Sequence, residues 1–311
     1  MPFRSDWDLV PAYDASHRDG AVPGKPHGPA VLNLASNESP AGPFPEVEEA
    51  IATAAAEVNR YPDASCRLLV EALAARYGAS ADHLWVGAGS TQLLACAALA
   101  AGGPGSSAVF ADPTFTMYRI YTAVGGAEPI PVPVDAAGCH DLDAMLTAIR
   151  DDTTVVYVCN PNNPTGTYVP ATAVAEFAAR VPHRVLIVVD EAYAEYATAS
   201  DFASAVPLAL SRDNMIVTRT FSKIYGLAGL RVGYAVGHPN TLQALRKAQV
   251  PYSVNHVAQA AALAALGCDH RLTERVSQNA VGRAHLRAQL AARKIESLPT
   301  QGNSVLMLPG G

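Results

Sequence analysis

Val185-Leu186-Ile187-Val188-Val189-Asp190-Glu191-Ala192-Tyr193 sets an unbroken apolar, largely β-branched run directly against two carboxylates. A strand with water on one face alternates apolar and polar residues, whereas a run of this kind is buried on both faces, as inside a parallel sheet. Working outward, similar short runs recur at Leu84 to Val86, Ala108 to Ala111, Ile130 to Val134, Thr154 to Cys159, Met215 to Thr218 and Val232 to Val236. Helix-length segments separate them. This rhythm predicts an α/β domain with a mostly parallel seven-stranded sheet covered by helices on both faces.

Before the first strand, the sequence predicts an amphipathic helix from Pro45 to Val58, the turn Tyr61-Pro62-Asp63, and a helix from Ser65 to Tyr77 closed by Gly78. Residues 1–30 are rich in Pro, Gly and polar residues and read as an arm, since Val22 to Pro29 can continue neither a helix nor a central strand. From about Pro239 the chain reads as helical. Asn255 is expected to cap an Ala-rich stretch, and Leu272 to Ile295 carries the charge pattern of a solvated helix face.

Of 311 residues, 50% are hydrophobic and 16% charged, which suits a folded globular chain and excludes a disordered one. A formal net charge of −6 without a run of Lys or Arg offers no footprint for nucleic acid or an anionic membrane. Residues 1–14 lack a basic start followed by an apolar run, and the Ala-rich segment Leu93 to Ala101 is too short to span a bilayer, so a cytoplasmic protein is expected. Cys66, Cys96, Cys139, Cys159 and Cys268 form no C-x-x-C pair, and the nine histidines show no ligand spacing, so no metal is expected. Small molecules are the expected partners.

In open α/β sheets, ligands collect at the carboxyl ends of the strands. Five unusual clusters follow strands here: Gly87-Ala88-Gly89-Ser90-Thr91, Asp112-Pro113-Thr114-Phe115, Asn160 to Gly166, Asp190 to Tyr193, and Thr220-Phe221-Ser222-Lys223. A dinucleotide site would use Gly87-x-Gly89, but Gln92 stands where the third glycine belongs, and a nucleotide triphosphatase lacks its G-x-x-x-x-G-K-[ST] loop. Pyridoxal 5′-phosphate asks for a lysine to form a Schiff base, a carboxylate to keep the pyridinium nitrogen protonated, and an anion cradle. Of four lysines, Lys25 lies in the arm, Lys247 and Lys294 sit beside arginines on helices that look solvent-facing, and only Lys223 ends a strand-to-loop segment.

Asp190 would be costly to bury as an anion without a partner, and a protonated ring nitrogen is such a partner; taken alone, Asp190 reads as a helix N-cap. Asn163 and Tyr193 can hydrogen-bond the phenolic oxygen of the ring, although a turn Asn and a packed Tyr are their ordinary roles. Phe115 can stack on the ring, and as a lone aromatic it would otherwise be core. Ser90 and Thr91 open a helix whose free N–H groups favour phosphate, with Ser222 and Arg231 completing the cradle; a plain N-cap is the ordinary role of Ser90. A cation such as Arg231 beside Lys223 would lower its basicity.

Asn33-Leu34-Ala35-Ser36-Asn37-Glu38-Ser39-Pro40, Asn59 to Asp63, Asn162 to Gly166, Asp190 to Tyr193 and Ser222-Lys223 through Gly229-Leu230-Arg231 resemble the histidinol-phosphate and aromatic amino acid aminotransferases, which are fold-type I pyridoxal-phosphate enzymes. The likeness runs from about residue 30 to the end, and the spacing from Ser222-Lys223 to Arg231 is its most specific part. It implies transfer of an amino group between histidinol phosphate or an aromatic amino acid and 2-oxoglutarate, with Lys223 as proton shuttle. It also implies a homodimer in which Tyr61 reaches the phosphate of the partner's cofactor, with Asn37 and Glu38 near the substrate.

Similar enzymes carry an acidic pair where this chain has Thr91-Gln92, and they continue past Leu308-Pro309-Gly310-Gly311 into a tail that supplies the arginine for the substrate carboxylate. The division expected on this likeness is an arm and small-domain segment over residues 1–44, a large cofactor-binding domain over 45–250, and linking helices with a partial α/β small domain over 251–311. Two alternatives share these motifs: a pyridoxal-phosphate decarboxylase of a phospho-amino acid, and a catalytically impaired paralogue without the carboxylate clamp.

Overall fold

A computed structural model describes Trp7, residues 10–13 and residues 34–308. The remainder of the expected Pro/Gly arm, with Lys25 and Asn33, and the terminal Pro309-Gly310-Gly311 lie outside the described residues. Seven strands form one sheet: β1 (Leu84–Gly87), β2 (Ser107–Asp112), β3 (Glu128–Pro133), β4 (Thr153–Cys159), β5 (Leu186–Asp190), β6 (Met215–Thr220) and β7 (Gly233–Gly237). Their order is β1-β7-β6-β5-β4-β2-β3, and β7 pairs antiparallel with both β6 and β1 while the other pairs are parallel. The apolar runs thus lie where the sequence puts them, within a residue or two at each end.

The period of two along a strand divides the core between the two sheet faces. Val155, Tyr157 and Cys159 of β4 share one cluster with Leu186 and Val188 of β5, whereas Val156, Val158, Ile187 and Val189 belong to the other. Helices α3 (Ser90–Ala101), α4 (Met117–Gly125) and α8 (Pro239–Arg246) cover the first face. On the second lie α1 (Pro45–Ala55), α2 (Arg67–Tyr77), α5 (Leu142–Thr147), α6 (Ala171–Arg180), α7 (Val206–Ser211) and α9 (His256–Leu266), followed by α10 (Asp269–Ala292). Asp190 therefore projects to the first face, and its neighbour Glu191 to the second.

Strand β3 is an edge, and its composition shows why. The N–H groups of Glu128 and Val134 donate to the carbonyls of Ser106 and Asp112, so even-numbered amides face β2. Pro129, Pro131 and Pro133 then occupy the outward positions, where a missing donor costs the ladder nothing and denies a foreign strand its pairing partners.

Helix ends follow local chemistry more closely than periodicity suggested. The first helix stops at Ala55, not Val58, where the amides of Ala56 and Glu57 turn to the carbonyls of Thr53 and Ala54. The second begins at Arg67, not Ser65, because Asp63 accepts from Ser65 N, Ser65 Oγ and Arg67 N and so caps it from further back. Gly78 ends α2 in the left-handed conformation as expected, and Asn255 caps α9 by accepting from Ala258 N at 2.8 Å. The last helix runs Asp269–Ala292, and exposed Lys294 lies in the turn beyond it.

Alanines at 258, 261, 262 and 265 are fully buried where α9 meets its neighbours, α1 above all. Side chains of this size let the two helices approach closely, and nothing larger fits without backbone movement. Replacing Ala262 by Leu is expected to lower the unfolding free energy by about 1–3 kcal/mol, read from urea midpoints; an unchanged midpoint would show that this contact is loose.

Candidate functional site at the carboxyl ends of the strands

Asp190 closes β5 with a side chain 2% exposed. Its Oδ2 accepts from the hydroxyl of Tyr118 on α4 at 2.9 Å, and its Oδ1 accepts from Ala192 N at 3.2 Å. The second contact closes a tight turn and is not the helix N-cap expected of an isolated Asp, since no helix starts at Asp190; the first contact left no signal in the sequence. Burial nevertheless pushes the Asp190 carboxyl up to about 6, against the lowering effect of Tyr118, Thr218 and Ala192 N. Phe115 stands edge-on to Tyr118, with ring centroids 5.6 Å apart, and Tyr118 stacks on Tyr157 at 4.7 Å. Phe115, expected to cover a ring, thus sits one side chain away from Asp190.

The neighbouring strand end holds Lys223. Because β6 and β7 run antiparallel with Thr220 opposite Gly233, the loop between them returns to its starting point. This explains the spacing singled out in the sequence: Ser222 leaves the loop's first end, Arg231 arrives at its last, and Arg231 Nη1 donates to Ser222 Oγ at 3.5 Å and to Ala228 O at 3.0 Å. Arg231 adopts a left-handed φ of 57°.

Both face the N-terminus of α3. A Cβ on Gly89 would meet Arg231 Nη2 at 2.5 Å, and one on Gly233 would meet Ser90 N at 2.5 Å, so glycine is required at each for the guanidinium and the first turn to come together. Gly89 at the N-cap has no side chain to satisfy the first-turn amides of Ser90 and Thr91. Gln92 folds back: its Oε1 accepts from Ala88 N at 2.7 Å and from Ser253 Oγ at 3.0 Å, closing the loop without charge.

A third wall comes from the N-terminal segment. Lys223 Nζ donates to the Ser36 carbonyl at 2.6 Å and lies 5.5 Å from the centroid of the Tyr193 ring. Asn37 Nδ2 donates to Tyr193 Oη at 3.2 Å, and Asn303 Nδ2 donates to the Asn37 carbonyl at 2.9 Å. Ser36 and Asn37 both hold positive φ, a conformation that Asn adopts readily and Ser seldom. Glu38 follows them with an exposed side chain. Asn163 is half-buried on the loop after β4, and that loop is braced by Asn162, which donates to Pro113 O and Thr165 Oγ1 and accepts from Thr114.

Lys223, Tyr193 and Asn37 thus form one connected group, Ser222, Arg231, Gly89 and Ser90 a second beside it, and Asp190 with Tyr118 and Phe115 a third on the adjoining strand end. Tyr61 joins none of them. Its ring is 84% exposed and packs on Tyr252 at 4.9 Å. Among the described residues, no group of His, Cys, Asp and Glu could hold a metal ion, and no helix is long and apolar enough to cross a membrane. Sequence reading missed Tyr118, Asn303 and a buried cluster of Arg219 with Glu191 and Glu195. Only Arg219 left a local signal, a charge inside the apolar strand β6.

The raised carboxyl at Asp190 has a measurable consequence. A group that holds its proton to about pH 6 when folded and to about pH 4 when unfolded favours the native state as pH falls through that window. Above pH 6 its ionised form costs stability, by roughly 3 kcal/mol at most. Without added ligand, Asp190→Asn is therefore expected to unfold at higher urea than the parent at pH 8, with the gap closing toward pH 4. A gap independent of pH would contradict this origin.

Residues 29–311 match the family described as aminotransferase class I and II. The chain is 45% identical over 308 residues to an aromatic amino acid aminotransferase of Thermobifida fusca, covering 99% of this chain and 84% of that protein. It is 44% identical over 280 residues to histidinol-phosphate aminotransferase 1 of Cupriavidus pinatubonensis, covering 90% and 74%. Among solved structures, a histidinol-phosphate aminotransferase of Sinorhizobium meliloti in complex with pyridoxal-5′-phosphate matches with a TM-score of 0.83 at 34% identity, covering 87% of this chain and 73% of that one. A fold built around these strand ends and a match over nine-tenths of the sequence lead to one conclusion: this chain belongs to the class I and II aminotransferase family.

Proposed function

We propose that this chain binds pyridoxal 5′-phosphate on Lys223 and transfers an amino group from an aromatic amino acid or histidinol phosphate to 2-oxoglutarate, as a cytoplasmic homodimer. The observation that carries the reading is the convergence of Lys223 and Asp190 on adjacent strand ends, with an anion cradle at the third. The residues suit the cofactor. A carboxyl raised by burial gains when a cationic ring nitrogen meets it, and the Gly89, Ser90, Ser222 and Arg231 cradle brings amides, a hydroxyl and a guanidinium to a surface that a single Cβ would fill.

When bound, pyridoxal phosphate supplies an electron sink for the charge left on a substrate carbon that loses its proton. Asp190 would hold the ring nitrogen protonated, kept in place by Tyr118. Tyr193 and Asn163 would bond the phenolic oxygen, and Phe115 would cover the ring and exclude water. Ser90, Thr91, Ser222 and Arg231 would hold the phosphate. Lys223 Nζ would take the proton from the α-carbon of the donor, acting as general base from a position that the Ser36 carbonyl and the Tyr193 ring fix. Asn37 and Glu38 would border the donor.

The exposed Tyr61, packed on Tyr252 and near Val58 in sequence, offers the apolar surface that a second copy would cover, with Tyr61 reaching toward the partner's phosphate. The names of the relatives favour amino transfer over decarboxylation, and the two donor classes proposed are those the names print.

Added pyridoxal phosphate is expected to give the parent protein a visible absorbance band that Lys223→Ala lacks, with amino transfer falling at least about 10³-fold in the variant. Glutamate formation from 2-oxoglutarate, with phenylalanine, tyrosine or histidinol phosphate as the donor, then ranks the donors. No glutamate with any of them, or an unaltered band in Lys223→Ala, would overturn the reading.

A further inference from the structure

The period of two along the strands puts a second set of charges directly behind the site. Asp190 faces the side of the sheet covered by α3 and α4, while Glu191 and Arg219 face the other side. Arg219 is the one charge in the otherwise apolar and hydroxylic strand β6, and its side chain is 11% exposed. Its Nε donates to Glu191 Oε2 at 2.9 Å, Nη2 lies 2.6 Å from the same oxygen, and Nη1 donates to Glu195 Oε1 at 2.8 Å. Glu191 is 1% exposed and also accepts from Ser204 Oγ at 2.7 Å and Ala205 N at 2.6 Å. One guanidinium therefore grips both ends of the turn that carries Tyr193, from the strand that leads to Lys223.

We propose that Arg219 is a positioning residue: it fixes the 191–195 turn so that Tyr193 stands over Lys223, and it offsets the negative charge of Glu191 behind Asp190. A buried guanidinium with two carboxylates is an expensive way to hold a turn, since apolar residues of similar volume usually do as well. The arrangement is explained if its charge acts on the site. Glu191 raises the carboxyl of Asp190, and the groups facing Asp190 from the surrounding elements are otherwise Tyr118, Cys159 and Tyr193. Those facing Arg219 are Glu191 and Glu195, together with the hydroxyls of Tyr77 and Tyr234, which bond each other at 2.7 Å. With Arg219 in place, the charge of Glu191 is partly offset, and its effect on Asp190 is the smallest of those acting there. Without it, Glu191 keeps only Ser204 Oγ and Ala205 N as partners, and its charge one residue away acts on Asp190 without a cation to offset it.

The inference rests on the proposed role of Lys223 and Asp190, and its test separates the two. Protein saturated with pyridoxal phosphate is titrated with pH while the visible band is followed, in the parent, Arg219→Gln, Arg219→Lys and Glu191→Gln. The midpoint is expected to rise by about one pH unit in Arg219→Gln, where negative charge is uncovered, and to fall in Glu191→Gln. Arg219→Lys keeps the charge and is expected to titrate within a few tenths of a unit of the parent. A role confined to folding would lower stability in these variants and leave the midpoint where it is.

Variants that bind cofactor and titrate with the parent would overturn the role of Arg219 while leaving the site intact. A parent without a band would remove both. Should Arg219→Gln fail to fold, the comparison of Glu191→Gln with Arg219→Lys decides alone: a lowered midpoint in the first supports the proposal, and coincident midpoints overturn it.

Discussion

A carboxylate at the end of a strand whose two faces are both covered must give up most of its hydration, and Asp190 stands in that position. One phenol and one backbone amide partly replace the lost water, and the carboxyl still rises to about 6. A cationic ring nitrogen brought to this carboxyl would relieve that cost. Much of the surrounding architecture can be read as the means of keeping Asp190 there: the closed apolar faces of β4 and β5, the stack of Tyr157 on Tyr118 that aims the phenol, and the bracing of the loop after β4 by Asn162.

The rest of the site is built from strand ends that differ in direction. Parallel strands deliver Asp190, Asn163 and Phe115 from separate loops, each needing a helix to return the chain. The single reversed strand, β7, does something the parallel ones cannot: it brings the two ends of one loop together, so Ser222 and Arg231 meet beside the first turn of α3. Alternation along β5 and β6 then separates the chemistry into two layers. Asp190 lies on the face covered by α3 and α4, and the Glu191, Glu195 and Arg219 cluster lies behind it.

What was legible in the sequence is what depends on neighbours along the chain. Apolar runs gave all seven strands, Gly78 and Asn255 gave their caps, and Asp190 and Lys223 stood out because each ends such a run. The reversal of β7 was not legible, since an apolar run carries no direction. The start of the second helix at Arg67, two residues past Ser65, was not legible because the side chain of Asp63 overrides the periodicity. Contacts between distant residues were invisible for the same physical reason: Asn303 bonds the Asn37 carbonyl, and Asn37 in turn bonds Tyr193, across separations no local pattern encodes. Arg219 could have been flagged, because a guanidinium in a buried strand requires carboxylates somewhere, though not which ones.

One ring would join Lys223 to Asp190. A crystal structure of the protein grown with saturating pyridoxal phosphate measures this directly. Continuous density from Lys223 Nζ, with the ring nitrogen within hydrogen-bond distance of the Asp190 carboxylate, is the predicted result. Cofactor attached to another lysine, or a ring whose nitrogen faces away from Asp190, would contradict it.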